Sequence, residues 1–276
     1  MSLPTNIEEA RPIIETAISL GINYFDTADL YDRGLNEEIV GTLLAPIRKN
    51  IILATKVGNR WEEGVDGWTW DASPAYIKNA VKNSLRRLQT DYIDLYQLHG
   101  GTIEDNFEVV IETFEELKKE GVIREYGLSS IRPNVFIPFT KNSNAVSNMM
   151  QYNLLDRRAE EWFQSLAANG TSIVTRGTIA KGLLTKEWRT RLKPYMSYST
   201  DALNSILNKL EQHYDSLHAL SFAFNLQHPA IASTVIGART KQQLLENMKA
   251  YEQAQQISSL DFATSLTQQE VYTDHR

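Results

Sequence analysis

An aspartate, a tyrosine, a lysine and a histidine fall where short apolar runs end. Asp26 closes Ile-Asn-Tyr-Phe-Asp, with Tyr31 five residues later; Lys56 closes Ile-Ile-Leu-Ala-Thr-Lys; His99 closes Tyr-Ile-Asp-Leu-Tyr-Gln-Leu-His. A carboxylate and an ammonium inside apolar strands are costly unless paired. Asp26 and Lys56 are therefore expected to form an ion pair. A phenol beside that ammonium releases its proton below the ~10 of a free tyrosine and becomes a proton donor near neutral pH. A neutral imidazole from His99 then orients a carbonyl oxygen or assists the transfer. Taken singly, a strand-end ion pair, a buried histidine and a loop tyrosine are ordinarily structural. Four such groups converging on one face argue for chemistry.

Convergence needs a scaffold. Strand-like runs read at Ile22–Thr27, Ile51–Val57, Tyr92–His99, Tyr126–Ser129, Met149–Tyr152, Ser172–Arg176 and Ala232–Gly237. Their nearly continuous apolarity is that of strands buried on both faces of a parallel sheet. With a period of two, Tyr24 and Asp26 share a face, as do Ala54 and Lys56, and Gln97 and His99. Adjacent strands lie ~4.8 Å apart, so these side chains can meet. Helical patterns alternate with the strands: Ile7–Ser19, Glu37–Leu44, one opening at Ser73-Pro74, one opening near Thr102 and capped by Gly121, Ala159–Ala168, Leu203–Gln227 and Thr240–Ala254. Ser73 is an N-cap with proline at the first helical position. The alternation predicts a parallel (β/α)₈ TIM barrel, whose active face is the C-terminal strand ends. A Rossmann sheet is disfavoured, since no G-x-G-x-x-G follows a strand. The first element is a helix, however, so the barrel reads as missing its first strand.

The bulk properties fit. A chain of 276 residues suits one domain over 1–276. With 42% hydrophobic and 22% charged residues it has material for a large core. The net charge of -6 speaks against a nucleic-acid partner. No apolar run approaches the ~20 residues of a membrane span. The absence of cysteine excludes a disulfide framework and a thiolate nucleophile, in keeping with a cytoplasmic protein. A metal-dependent hydrolase is disfavoured, because His213, His218, His228 and His275 lie away from strand ends. A Schiff-base lyase is disfavoured because pairing with Asp26 keeps Lys56 protonated.

At these residues the chain resembles the aldo-keto reductase family. The likeness runs through Gly21–Tyr31 (GINYFDTADLY), Ala54–Lys56, Asp91–His99, Gly121–Ser130 (GVIREYGLSS), Gln151–Asn153, Lys181–Leu184 and Val235–Asn247 (VIGARTKQQLLEN), in family order along nearly the whole chain. Within the family it is similar to bacterial members near the potassium-channel β-subunit branch. The resemblance implies a (β/α)₈ barrel that reduces small-molecule aldehydes or ketones with NADPH. Tyr31 is then the general acid, activated by Lys56 and Asp26, with His99 orienting the carbonyl. It further implies Ser129, Ser130 and Gln151 at the nicotinamide amide, and Arg176, Gly177, Ile179 and Lys181 along the cofactor. Gly237, Arg239, Gln243, Glu246 and Asn247 would hold the adenosine end. Physical chemistry supports this last set: a helix starting near Thr240 offers backbone N–H groups to an anion. Arg239 and Lys241 add positive charge there, and a guanidinium suits a phosphate, which favours NADPH.

Some features depart from the family pattern. The chain has Ser129-Ser130 where members often have Ser-Asn. Arg176 stands where many members stack an aromatic ring on the nicotinamide; a guanidinium there disfavours the cationic oxidised cofactor and biases the reaction toward reduction. Trp61, Trp68 and Trp70 in the insert Asn59–Asp71 either line an apolar substrate pocket or pack on one another. Met1-Ser2-Leu3 reads as the tail of the absent strand, as if the chain began at an internal methionine. That would leave unpaired strand edges. The alternative functions are an NADPH-binding regulatory or redox-sensing module and an inactive truncated reductase. Intact Asp26, Tyr31, Lys56 and His99 favour an enzyme.

Overall fold

The computed structural model describes residues 3–274. In chain order the elements are α1 (Ile7–Ser19), β1 (Tyr24–Asp26), α2 (Leu35–Leu44), β2 (Ile52–Val57), the hairpin strands β3 (Asn59–Arg60) and β4 (Thr69–Trp70), α3 (Pro74–Leu88), β5 (Ile93–Leu98), α4 (Phe107–Lys119), β6 (Ile123–Leu128), α5 (Pro133–Lys141), β7 (Ser147–Gln151), α6 (Glu160–Ala168), β8 (Ser172–Arg176), α7 (Trp188–Arg191), α8 (Thr200–His213), α9 (Leu217–Leu226), β9 (Ile231–Val235), α10 (Lys241–Ala254) and α11 (Asp261–Leu266). Seven strands form one sheet in the order β1-β2-β5-β6-β7-β8-β9. Every pairing in it is parallel. Helices cross between the strands, as parallel connections require.

The sheet curls into a nearly closed (β/α) barrel. Its two edges, β1 and β9, face each other across a cavity of about 500 Å³ lined by residues of both strands and of α1 and α10. No strand bridges them among the described residues. Side chains close this seam instead: Ile13 and Ala17 of α1 pack with Ala238 and Leu244, against Phe25 and Leu3. The first described element is thus a helix, as expected, and the described sheet has seven strands. Of the expected strand tail, Met1 and Ser2 lie outside the described residues, as does His275; Leu3 packs into the seam.

Local signals place most elements. Ser73 Oγ accepts from Tyr76 N at 3.3 Å, with Pro74 at the first helical position. The residues Ile77, Ala80, Val81, Ser84 and Leu88 of α3 are buried on one stripe. Gly121 has φ +76° and ends α4, a conformation that glycine takes at little cost.

Two helix boundaries differ from expectation. The helix expected near Thr102 begins at Phe107, because Asp105 folds back to accept from Thr102 N at 2.7 Å and Asn106 supplies the cap. The single helix expected over Leu203–Gln227 is two, α8 and α9, because Ser216 is extended and caps a new start by accepting from Ala219 N at 3.1 Å. Among the described residues no helix is long and apolar enough to cross a membrane.

Candidate active site

Strand register brings the four chemical groups together. Asp26 pairs with Ala54, and Lys56 with Gln97, across β1, β2 and β5. His99 follows β5, its N–H continuing the ladder to Val57 O at 2.7 Å. The Lys56 side chain has no exposed surface. Its ammonium donates to Asp26 Oδ1 and, at 2.7 Å, to Thr27 O. The predicted ion pair is therefore present, and a backbone carbonyl supplements it. Tyr31 begins a short 3₁₀ turn, Tyr31–Gly34. Lys56 Nζ lies 5.0 Å from the centroid of its ring. His99 meets the same ring edge-on, with centroids 5.8 Å apart. One phenol is thus flanked by one ammonium and one imidazole at the C-terminal end of the barrel.

The imidazole is neutral. Burial first, and then the nearby charges of Lys56 and Arg176, push the His99 pKa down to about 3. Its Nδ1 is buried without a partner. A neutral imidazole of this kind can donate a hydrogen bond to an oxygen without adding charge.

The residues expected around a cofactor occupy the same end. Gln151 closes β7, with Nε2 donating to Asp156 Oδ2 at 2.7 Å and Oε1 accepting from Arg176 Nη1 at 3.3 Å. Ser129 N donates to Leu98 O at 2.8 Å. Ser130 is buried, and Asn148 clamps its backbone, accepting from Ser130 N and donating to Ser130 O. Gly177 is exposed, with φ +74°. Ile179 precedes the turn Ala180–Gly182, and Lys181 is exposed.

At the far side, α10 opens as expected, capped by Thr240, whose Oγ1 accepts from Gln243 N. Arg239 N donates to Gln243 Oε1 at 2.8 Å, and Asn247 Nδ2 donates to Gly237 O at 3.4 Å. Glu246 is ion-paired to Lys186 at 2.8 Å. The Arg239 and Lys241 side chains are exposed, and among the described residues neither is ion-paired. Two exposed cations at a helix N-terminus fit a phosphate.

The tryptophans separate. Trp61 Nε1 donates to Asp29 O at 3.0 Å, and Trp70 Nε1 to Asp105 at 2.9 Å. Trp70 also lies over Gly58 and Gly100, where a Cβ would approach its ring to 2.5 and 3.3 Å. Trp68 is exposed. Of the two alternatives, mutual packing is not what Trp61 and Trp70 do, because their indoles are committed to different neighbours.

Sequence reading passed over three residues near the site. Gln97 Nε2 donates to Asp26 Oδ2 at 3.1 Å. Asn148 is fully buried in β7. Asp29, between Asp26 and Tyr31 in the chain, is also buried. It borders a cavity of about 780 Å³ between the hairpin and α3. A polar residue inside an apolar run was the available signal for Gln97 and Asn148.

Burial first, and then the charge of Glu37, push the Asp29 pKa up to about 8. The native state thus binds a proton on Asp29 that the unfolded chain releases near ~3.9. Between those values stability falls as pH rises. Asp29→Asn is expected to melt higher than the parent at pH 8, with an advantage that shrinks toward pH 4. Melting curves at both pH values check this; an equal difference at each would show that the carboxyl does not carry the effect.

The chain is similar to known proteins. Residues 2–264 match the profile of the Aldo/keto reductase family. An uncharacterised oxidoreductase of Bacillus subtilis (strain 168), YqkF, is 51% identical over 286 residues, covering 100% of this chain and 93% of the relative. The holo form of aldo-keto reductase AKR11C1 from Bacillus halodurans superposes with a TM-score of 0.93 at 50% identity, over 100% of this chain and 92% of that one. The apo form of that protein gives 0.84 at 46% identity, with the same coverage.

Proposed function

The chain belongs to the aldo/keto reductase family, and from that premise we propose that it reduces aldehydes or ketones to alcohols with NADPH. The observation that carries this reading is the Tyr31 phenol flanked by Lys56 and His99, with Asp26 behind the lysine. When bound, the nicotinamide supplies a hydride to the carbonyl carbon. The protein's part is the oxygen. As negative charge builds on that oxygen, Tyr31 gives it a proton. The ammonium of Lys56 lies against the phenol ring and stabilises the phenolate left behind. Asp26 holds Lys56 in place. Neutral His99 orients the substrate oxygen without competing as a stronger acid.

Ser129, Ser130 and Gln151 are the residues that would hold the nicotinamide amide, and Arg176–Lys181 would line the cofactor. Gly237, Arg239, Gln243, Glu246 and Asn247 would hold the adenosine end. The exposed Arg239 and Lys241 beside α10 support a phosphate-bearing nucleotide there, and hence NADPH over NADH. Greater likeness to the holo form than to the apo form of the Bacillus halodurans reductase supports a cofactor-ready shape. The substrate is a small carbonyl compound entering beside Trp61, Trp68 and Trp70.

The reading is tested with the purified protein by following NADPH absorbance across a panel of aldehydes and ketones. Turnover supports it. Tight NADPH binding with no turnover of any substrate refutes it in favour of a binding module.

Arg176 reaches Gln151 and acts electrostatically on His99. In this reading it lies beside the nicotinamide and repels the oxidised, cationic form. Replacing it by tyrosine removes about 1 kcal/mol of repulsion. Affinity for NADP⁺ relative to NADPH should then rise roughly fivefold. Fluorescence titration with each form measures the ratio, and an unchanged ratio removes Arg176 from the cofactor face.

A further inference from the structure

We infer that Gln97 is a positioning residue for the proton donor, holding Asp26 against Lys56 and away from the open seam of the barrel. The inference rests on the carbonyl-reduction reading, and its test separates the two. Asp26 sits on β1, a strand of three residues at the sheet edge. Its outer side borders the seam cavity of about 500 Å³, in whose lining it is the one charged residue. Among the described residues no other charged side chain lines that cavity to hold the carboxylate from the outside.

Both fixings come from the barrel interior. Lys56 donates to Oδ1, and Gln97 Nε2 donates to Oδ2 at 3.1 Å. Lys56 and Gln97 are paired neighbours on β2 and β5, and neither has exposed surface. The two donors reach across from adjacent strands and span the carboxylate. The groups facing it are thus Lys56 and Gln97 from the neighbouring strands and Tyr24 from its own, with Tyr31 and His99 beyond Lys56.

The orientation of the amide is informative. Gln97 Oε1 is buried and has no partner. Turning the amide over would set that oxygen against the carboxylate and lose the one hydrogen bond the side chain makes. The amide therefore faces Asp26 with its nitrogen, although its oxygen is left unsatisfied. A neutral donor here fixes the carboxylate without altering the charge balance that Lys56 presents to Tyr31.

If Gln97 becomes leucine, Asp26 loses one of two tethers and is free to turn toward the seam. Lys56 is then less compensated, and Tyr31 gives up its proton at lower pH. Gln97→Glu keeps the shape and sets a second carboxylate beside the first. Two adjacent carboxylates share a proton. The shared proton restores a donor to Asp26 without changing the net charge, so Tyr31 holds its proton to higher pH than in the leucine variant.

Two readouts are needed. The first is kcat for aldehyde reduction across pH. In Gln97→Leu it should fall roughly tenfold to a hundredfold, the scale of a misplacement near the chemistry. KM should hold, and the alkaline limb should move down by about one pH unit. The second needs no turnover: tyrosinate absorbance against pH for each protein, less that of its Tyr31→Phe counterpart. The Tyr31-dependent midpoint should lie lower in the leucine variant than in the parent, and higher in the glutamate variant than in the leucine one. A leucine variant that is folded, binds NADPH and keeps the parental midpoint overturns the inference. Should that variant fail to fold, Gln97→Met, which keeps the length and removes the donor, decides: a lowered midpoint supports the inference and the parental one overturns it. If the parent reduces no carbonyl at all, the carbonyl-reduction reading has failed, while the absorbance titration still judges Gln97.

Discussion

Replacing Tyr31 by phenylalanine is expected to lower kcat for carbonyl reduction by a factor of about 10²–10⁴, the usual contribution of a positioned general acid. The change removes one oxygen and leaves the ring between Lys56 and His99. Packing should therefore survive, and NADPH affinity should stay within a few-fold of the parent. No other group is arranged to take over. His99 is neutral over the working range and is a poor proton source. Lys56 is occupied by Asp26 and the Thr27 carbonyl. Steady-state kinetics with a fluorescence titration of NADPH would separate lost chemistry from lost binding. Retention of more than a tenth of the parental kcat would remove Tyr31 from its role.

The second large effect is on stability and lies behind the site. Glu37 of α2 has no exposed side-chain surface, and Arg87 of α3 reaches it at 2.6 Å through Nη2 and 2.7 Å through Nε. Thr55 Oγ1 donates to the other carboxylate oxygen at 2.6 Å. Removing one partner of a buried pair leaves an uncompensated charge, which costs about 3–5 kcal/mol. Arg87→Leu is expected to lose that much, which is on the order of 6–20 °C in Tm. Glu37→Gln in the same background should recover part of the loss by removing the stranded charge. Gly34 adds a steric reason for the pairing, since a Cβ there would meet the Arg87 side chain at 2.8 Å. The guanidinium is packed as well as paired. Urea unfolding of the parent, of Arg87→Leu and Glu37→Gln alone, and of the double variant measures the coupling; a loss below about 1 kcal/mol in Arg87→Leu would mean that water reaches Glu37.

Much of this was readable from the residues in order. Strand–helix alternation marked the barrel because apolar continuity and helical stripes are local properties of sequence. Asp26, Lys56 and His99 stood out because charge and imidazole are conspicuous at the ends of apolar strands, and the period of two assigned them one face. What stayed hidden depended on tertiary partners. Gln97 and Asn148 are ordinary polar residues until neighbouring strands bring Asp26 and the Ser130 backbone against them. The raised Asp29 pKa arises from Glu37 and from burial by distant segments. The break between α8 and α9 rests on one side chain capping a new helix. The tryptophans left two alternatives open because aromatic density does not say which acceptors the indole N–H groups of Trp61 and Trp70 will find.

The seam between β1 and β9 gives the sheet two ends, and ends fray first. Amide-exchange protection should be lowest on β1 and β9 and rise toward β5 and β6 at the middle of the strip. Asp26 lies on the fraying end, and Tyr31 hangs from the loop that follows it; Lys56 and His99 belong to strands further in. Peeling β1 away would detach the proposed proton donor while leaving the rest of the barrel wall standing. Catalytic competence can therefore be lost and regained in a brief local opening that global unfolding probes do not register.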